Sequence, residues 1–161
     1  MILYVASGEG LLDRMAIRKA TNQETEEIST YSLDVLKEAA MGHVKLSRDK
    51  ARHMVAPSLS EDGYYLVHIE NNVIQGWIGV GMAYDFYSDE IVGVVPEIYV
   101  LSPFRKQGIA EKLCKEAFRQ LKEKGCNKIQ LNVFSGNVSR HLCVKLGFRE
   151  VLTVMELDLE Q

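Results

Sequence analysis

The chain has 161 residues, of which 47% are hydrophobic and 25% charged, and its formal net charge is −3. This length suits one domain with a sizeable core. The acidic balance argues against nucleic acid as the main partner, because phosphate backbones are bound by basic surfaces, and no apolar run approaches the roughly 20 residues of a membrane helix. The sequence therefore predicts a single domain over 1–161, with 1–14 as an N-terminal extension.

The cysteines and histidines give no sign of a metal site. Cys114, Cys126 and Cys143 are odd in number and far apart, which favours reduced thiols in a cytoplasm. The four histidines are scattered, with no HExxH or CxxC spacing, so we expect no metal and predict surface or capping roles for them. The first residues also lack the cationic start and long apolar core of a secretion signal, which agrees with a cytoplasmic location.

The first predicted elements are a strand and a helix. Met15 begins a strand that runs to Thr21. Thr21 and Glu24 have the spacing of a capping box, so a helix should begin there, and its pattern continues to about Ala40.

A second helix and a hairpin follow. Ser47 is predicted to cap a short helix that ends before Pro57. Alternating apolar residues over 65–70 and again over 74–84, joined by an Asn-Asn turn at 71–72, then predict two antiparallel strands.

The strand predicted over 91–101 is interrupted by Pro96. Proline cannot donate to a ladder and therefore favours a bulge or a break in pairing. Gly76, Gly79 and Gly81 in the preceding strand indicate bending or a close approach of backbone at these positions.

The segment after this strand is predicted to bind an anion. Arg105, Lys106 and Gly108 precede an amphipathic helix that ends at Gly125, with apolar residues at spacings of three and four. The first turn of a helix leaves about four N–H groups without partners, and the peptide dipoles place positive charge there. Phosphate is a common ligand of such a turn, and glycine lets it come close to the backbone.

Arg105-Lys106-Gln107-Gly108-Ile109-Ala110 fits the pattern Arg/Gln-x-x-Gly-x-Gly/Ala. Placed between a strand and a helix, it resembles the acetyl-CoA-binding motif of the GNAT superfamily of N-acyltransferases. After one further strand, predicted over 128–134, come Ser135-Gly136-Asn137, a short helix and Lys145-Leu146-Gly147-Phe148, which resembles the second signature of the family. The resemblance is specific in the second half of the chain and only architectural in the first.

The resemblance implies an α/β (α+β) fold with a central mixed, mostly antiparallel twisted sheet of roughly six or seven strands and about four helices. A V-shaped splay between strands 4 and 5 would receive the pantetheine arm of acetyl-CoA, the implied co-substrate. The residues implied in cofactor binding are the main chain of Ile98, Tyr99 and Val100, the pyrophosphate loop of Arg105, Lys106, Gln107, Gly108, Ile109 and Ala110, and Asn137. Asn137 is equally suited to capping a helix or turn.

Acyl transfer to an amine requires a base, because an alkylamine with a pKa near 10.4 is mostly protonated at pH 7. Glu97 matches the acidic position that serves as general base in many family members. The alternative is that Glu97 pairs with a substrate cation or a neighbouring side chain. A main-chain N–H near Val100 is the candidate donor to the oxyanion.

One position departs from the family pattern. Where members usually have a tyrosine that protonates the leaving thiolate, counting back from Phe148 gives Cys143. A thiol with a reference pKa of ~8.5 is a chemically reasonable acid for another thiolate, and a buried structural cysteine is the alternative.

The resemblance implies an acetyl-CoA-dependent N-acetyltransferase that acts on a primary amine of a small molecule, polyamine-like acceptors among them, by direct attack in a ternary complex. Two alternatives stay open: a non-catalytic module that binds CoA or acyl-CoA, and an enzyme that acetylates protein or peptide amines. Family members are often homodimers, and the sequence leaves the oligomeric state open.

Overall fold

The computed structural model describes residues 15–59 and 62–160, so the extension predicted over 1–14 lies outside the described residues. This part of the chain contains six strands and five α-helices. The strands are β1 Met15–Lys19, β2 Tyr64–Glu70, β3 Val73–Asp85, β4 Glu90–Val94, β5 Ile98–Val100 and β6 Ile129–Gln130. The helices are α1 Asn22–Ser29, α2 Ser32–Ala40, α3 Arg48–Leu59, α4 Ile109–Glu123 and α5 Ser139–Lys145, with a 3₁₀ turn over Ser102–Phe104.

The strands form one mixed sheet in the order β1-β2-β3-β4-β6, and β5 pairs with β3. All pairs are antiparallel except β4 with β6, which is parallel. The turn between β2 and β3 is formed by Asn71 and Asn72, both with positive φ, as the Asn-Asn pair predicted. The mixed, mostly antiparallel sheet expected from the sequence is confirmed.

The strand predicted over 91–101 is divided at Pro96 into β4 and β5, both paired with β3. The glycines of β3 permit this close approach. A Cβ on Gly79 would lie 2.9 Å from Pro96 Cγ, and one on Gly76 would lie 2.8 Å from the carbonyl oxygen of Tyr99. The predicted close approach is therefore confirmed at these two glycines.

The ladder between β4 and β6 ends where the sheet opens. Val95 N donates to Gln130 O at 3.1 Å. Beyond this bond β5 pairs with β3 alone, and it does not continue the ladder that β4 forms with β6. The strand predicted over 128–134 was therefore too long, since only Ile129–Gln130 is paired. The two chain segments part after this point, which gives the V-shaped opening that was predicted.

Helices cover the two faces of the sheet with separate apolar contacts. On one face, α4 buries Ile109, Leu113, Ala117 and Leu121 in a cluster with β2 and β3. On the other face, Ile28 of α1 and residues of α2 pack in the cluster that contains Trp77. Within the described residues, no helix has the length and apolar character needed to cross a membrane.

The capping predictions are confirmed. Glu24 N donates to Thr21 Oγ1 at 3.2 Å and Thr21 N donates to Glu24 Oε2 at 2.8 Å, which is the complete capping box. Ser47 Oγ accepts from Lys50 N at 3.1 Å at the start of α3.

Two helix boundaries were predicted wrongly. The helix expected to run to Ala40 is divided into α1 and α2, because Thr30 turns its hydroxyl back to Glu27 O at 2.6 Å and closes α1. The helix expected to stop before Pro57 continues to Leu59.

The surface or capping role predicted for every histidine is wrong for His68, which is 2% exposed. It lies in the middle of β2, a strand buried on both faces, so the alternation of side chains offers it no exposed position. Burial lowers its pKa, and the neighbouring Lys112 acts in the same direction.

Candidate active site

The loop before α4 has the backbone shape that its glycine predicts. Gly108 has φ +79° and Lys106 has φ +62°, so both residues are in the left-handed region. Gly108 O accepts from Lys112 N at 3.1 Å and thereby closes the first turn of α4. Glycine is favoured at position 108 because L-residues adopt this conformation only at a cost in free energy.

The loop is open to a ligand. Residues 105–108 are exposed, and within the described chain the amides of Lys106, Gln107 and Gly108 donate to no other residue. A Cβ on Gly108 would meet no atom within 4 Å. The loop amides, together with the first-turn donors of α4 at Ile109 and Ala110, therefore form a group of unsatisfied N–H groups at the positive end of a helix.

The side chain of Arg105 forms hydrogen bonds within the chain. Its guanidinium donates to both carboxylate oxygens of Glu38 at 2.9 and 3.1 Å, and its Nε donates to Val100 O at 2.8 Å. The guanidinium also lies 5.2 Å from the ring centroid of Tyr99, whose hydroxyl donates to Glu38 at 2.9 Å. The side chain thus links α2 to the end of β5, and Glu38 balances its charge.

Lys106 is the other cation predicted on the loop. It forms no ion pair with any described residue, and it is exposed. Positive charge toward an anion on this loop therefore comes from Lys106 and the helix terminus more than from Arg105.

Two hydrogen bonds determine which way the main chain of β5 faces. Gly79 N donates to Glu97 O at 2.7 Å, and Leu101 N donates to Gln75 O at 2.9 Å. In an antiparallel ladder the residues that bond to the partner strand alternate with residues that face away from it.

This alternation turns the main-chain groups of Ile98 and Val100 toward the opening, and those of Tyr99 toward Trp77 on β3. Val100 O is already bound by Arg105, so the Val100 N–H and both groups of Ile98 are the ones directed at the opening. The main-chain surface predicted for the cofactor is thus divided, with Tyr99 on its far side.

Glu97 is a buried carboxylate at the break between β4 and β5. It is 8% exposed, and Trp77 Nε1 donates to its Oε1 at 2.5 Å. Burial raises the pKa of Glu97, although the bond from Trp77 acts in the opposite direction. Among the described residues no cation forms an ion pair with it, so the group holds a proton to higher pH than an ordinary glutamate.

A stability prediction follows from this pKa. A carboxyl whose folded pKa is raised favours the native state below its unfolded pKa, and this contribution is lost as the pH rises through the folded pKa. We therefore expect Glu97→Gln to be more stable relative to the wild type at pH 8 than at pH 4.5. Thermal unfolding at both pH values measures the difference, and parallel Tm curves would contradict the raised pKa.

The sequence comparison identifies the family. The model of the acetyltransferase (GNAT) family matches residues 22–148. The chain belongs to the GNAT family. No curated protein matches the sequence significantly.

Solved structures share the GNAT fold with this chain. A protein of Pyrococcus furiosus described as an acetyl transferase superposes with TM-score 0.78 at 18% identity, over 90% of this chain and 99% of that one. A protein of Clostridium acetobutylicum described as a predicted acetyltransferase, and solved with acetyl-CoA, gives TM-score 0.70 at 19% identity, over 90% of this chain and 96% of that one. The aminoglycoside acetyltransferase AAC(6')-Iy, in complex with a bisubstrate analogue of CoA and acetylneamine, gives TM-score 0.67 at 22% identity, over 91% and 99%.

In this GNAT domain, both the oxygen and the nitrogen of the Asn137 side-chain amide form hydrogen bonds within the chain. Its Oδ1 accepts from Ser139 N at 2.8 Å at the start of α5, and its Nδ2 donates to Ala39 O at 3.1 Å. His43 lies against the same loop, with Nε2 at 3.1 Å from Ser135 O. These contacts support the capping role of Asn137 and connect the end of α2 with the far side of the opening.

Cys143 is half-buried on α5, and its carbonyl accepts from Phe148 N at 2.9 Å. Burial raises the pKa of its thiol, so it is protonated at neutral pH. The described residues contain no group of three or more His, Cys, Asp or Glu side chains that could hold a metal ion.

Two residues near the site were not predicted as parts of it. Trp77 is fully buried in the core, and its indole N–H also donates to Glu97. No sequence pattern marks Glu38 as a site residue, because it is one of several charged residues on α2. Each contact joins elements far apart in the chain, and the sequence gives no local pattern for it.

Proposed function

We propose that this chain is an acetyl-CoA-dependent N-acetyltransferase that moves the acetyl group to a primary amine of a small molecule by direct attack in a ternary complex. The observation that carries the proposal is Glu97. It is a buried carboxylate with a raised pKa and no ion-pair partner among the described residues, directly before the strand edge that faces the opening. A structural carboxylate would normally be paired at such burial.

The open amides of Lys106, Gln107 and Gly108 and the first turn of α4 suit the pyrophosphate of CoA. Charge-assisted hydrogen bonds contribute about 1.5–3 kcal/mol each, so a few of them suffice to anchor the cofactor. The free main-chain groups of Ile98 and Val100 are available to pair with the amides of the pantetheine arm, as an added strand would.

Glu97 would accept the proton of the acceptor ammonium, directly or through water. At pH 7 an amine with a pKa near 10.4 is mostly protonated, because its pKa lies ~3.4 units above the pH. Forming the neutral amine therefore costs about 4.6 kcal/mol. Because the pKa of Glu97 is raised, the difference between its pKa and that of the ammonium is smaller, and the proton transfer costs less free energy. The neutral amine would then attack the thioester carbonyl, and the Val100 N–H would donate to the oxyanion. The C–S bond would break to release CoA thiolate.

The acceptor class rests on the architecture. AAC(6')-Iy, which shares the fold, is an aminoglycoside acetyltransferase solved with an analogue that joins CoA to an aminoglycoside amine. This supports a small-molecule amine as acceptor. The three free thiols suit a reducing cytoplasm as its location.

The test is the release of free thiol from acetyl-CoA in the presence of polyamines, amino acids and aminoglycosides, with calorimetry against CoA in parallel. We expect heat of binding with CoA and amine-dependent thiol release. Binding of CoA without release under any amine would favour the non-catalytic module. Absence of binding would overturn the cofactor site as well.

We expect Cys143 to have little part in the reaction. Its raised pKa makes proton transfer to the departing thiolate unfavourable, and a thiolate leaves without an acid. Cys143→Ala should therefore retain kcat within about tenfold, because general-acid catalysis is worth at least ~10² where it operates. A larger fall in kcat at unchanged thermal stability would restore the acid role.

A further inference from the structure

The Arg105 side chain is fixed by bonds at two of its nitrogens. Its Nε donates to Val100 O at 2.8 Å, and its Nη2 donates to both carboxylate oxygens of Glu38 on α2 at 2.9 and 3.1 Å. Tyr99 supports this arrangement, because its hydroxyl donates to Glu38 and its ring centroid lies 5.2 Å from the guanidinium. The guanidinium is rigid and planar, so bonds at Nε and Nη2 determine the orientation of the whole group.

The bond to Val100 holds the end of a short strand. Val100 is the last residue of β5, which has three residues, and the ladder with β3 closes with the bond from Leu101 N to Gln75 O. On the other side of the same peptide group, Arg105 binds the carbonyl of Val100. The peptide between Val100 and Leu101 is thus held from both sides, which limits the movement of the strand end that directs the Val100 N–H at the opening.

The bonds to Glu38 keep the guanidinium away from the open amides of the loop. Arg105 directly precedes Lys106, Gln107 and Gly108, whose amides donate to no described residue. Arginine is a common bidentate partner of phosphate, so a guanidinium released from Glu38 would be attracted to a diphosphate bound at these amides. The Glu38 carboxylate competes with such an anion for Arg105, and its own charge repels the anion.

The ion pair between Arg105 and Glu38 lies at the surface, with side chains that are 38% and 50% exposed. An exposed pair of this kind adds little to the stability of a fold, because water and salt screen the two charges. What the pair provides here is a position for the guanidinium, between the strand end and the loop.

We propose that Glu38 is a positioning residue for acetyl transfer, which holds Arg105 on the carbonyl of Val100 and keeps the guanidinium away from the diphosphate of CoA. The inference rests on the proposed function, in which the Val100 N–H donates to the oxyanion. A fixed strand end keeps this donor in place and raises kcat. The same arrangement costs one charge-assisted contact to the cofactor and weakens CoA binding.

Glu38→Ala tests the two effects together, with kcat measured by thiol release and the Kd of CoA by calorimetry. We expect kcat to fall about tenfold, because small displacements of a reacting group are costly in rate. We expect the Kd of CoA to decrease by about threefold to tenfold, because the freed guanidinium can bond to the diphosphate. Position 38 is exposed and alanine is favoured in helices, so Tm should change little.

Arg105→Ala separates the two effects, because it removes the guanidinium instead of releasing it. We expect the same fall in kcat, but no decrease in the Kd of CoA. The double variant should fall no further in kcat than Arg105→Ala, since residues that act through one contact are not additive. A double variant in which the two losses add would show that Glu38 does not act through Arg105, and would overturn the inference.

Asp34→Ala is the matched control, because Asp34 is an exposed acidic residue one turn earlier on α2. It should leave kcat and the Kd of CoA as in the wild type. Wild-type kcat in Glu38→Ala, or a Kd of CoA that stays the same or increases, would overturn the inference. A wild type that binds CoA and releases no thiol with any amine would overturn the proposed function separately, and the CoA affinities of Glu38→Ala and Arg105→Ala would then decide whether Glu38 keeps Arg105 from the diphosphate. Absence of CoA binding would overturn both.

Discussion

Replacing Glu97 by glutamine is expected to lower kcat/KM for acetyl transfer by about 10² to 10⁴, the usual contribution of a general base. Glutamine keeps the size of the side chain and an oxygen that can accept from Trp77 Nε1, so the site should keep its shape. The affinity for CoA should stay unchanged, because Glu97 lies outside the loop of unsatisfied amides. Thiol release at saturating acetyl-CoA and calorimetry with CoA measure the two quantities separately.

The pH profile distinguishes a base from a residue that only shapes the site. Burial raises the pKa of Glu97, so kcat/KM of the wild type should fall on the acid side through a pKa above that of an ordinary glutamate. In Glu97→Gln this acid limb should disappear along with the activity.

Glu90→Gln is a suitable control for the same chemical change. Glu90 is on the neighbouring strand β4 and pairs with Lys128 at the surface, at 2.6 Å. Its substitution should leave both the rate and the pH profile as in the wild type. Full activity of Glu97→Gln would exclude the base role and leave Glu97 as a structural partner of Trp77.

The fold was largely predictable because its signals are local. The Thr21 and Glu24 capping box, the Asn-Asn turn and the spacing of apolar residues in α4 each depend on residues within a few positions of one another. The failures are equally physical. The Thr30 hydroxyl donates to Glu27 O, a bond that competes with the helical backbone bonds and ends α1. Residues 131–134 form no strand ladder, because β5 pairs with β3 and not with them.

The backbone conformation around the candidate site was predictable from the sequence, whereas the hydrogen-bond partners of its side chains were not. The glycine loop before α4 and the proline break beside Glu97 follow from backbone chemistry that the sequence states directly. The partners of Glu97 and Arg105 come from β3 and α2, so they depend on strand register and helix packing. The bond from the Arg105 guanidinium to Glu38 is therefore not marked by any local sequence pattern.

The largest effect expected on cofactor binding comes from Gly108→Ala. Gly108 has φ +79° and its Cβ would project into free space, so the substitution meets no protein atom but must adopt a left-handed backbone. That strain costs roughly 1–2 kcal/mol of stability. A shift of the loop to relieve it would misalign the amides, and loss of one charge-assisted bond would weaken CoA binding by roughly 10- to 100-fold.

Gly125→Ala separates strain from binding. Gly125 follows the other end of α4, has φ +90°, and likewise has no atom within 4 Å of an added Cβ. Both variants should therefore lose a similar amount of thermal stability, while only Gly108→Ala loses affinity for CoA. Equal CoA affinities in the two variants would mean that the amides at the start of α4 do not bind the diphosphate. The proposed acetyl-CoA site would then be contradicted, although the fold is that of the acetyltransferase family.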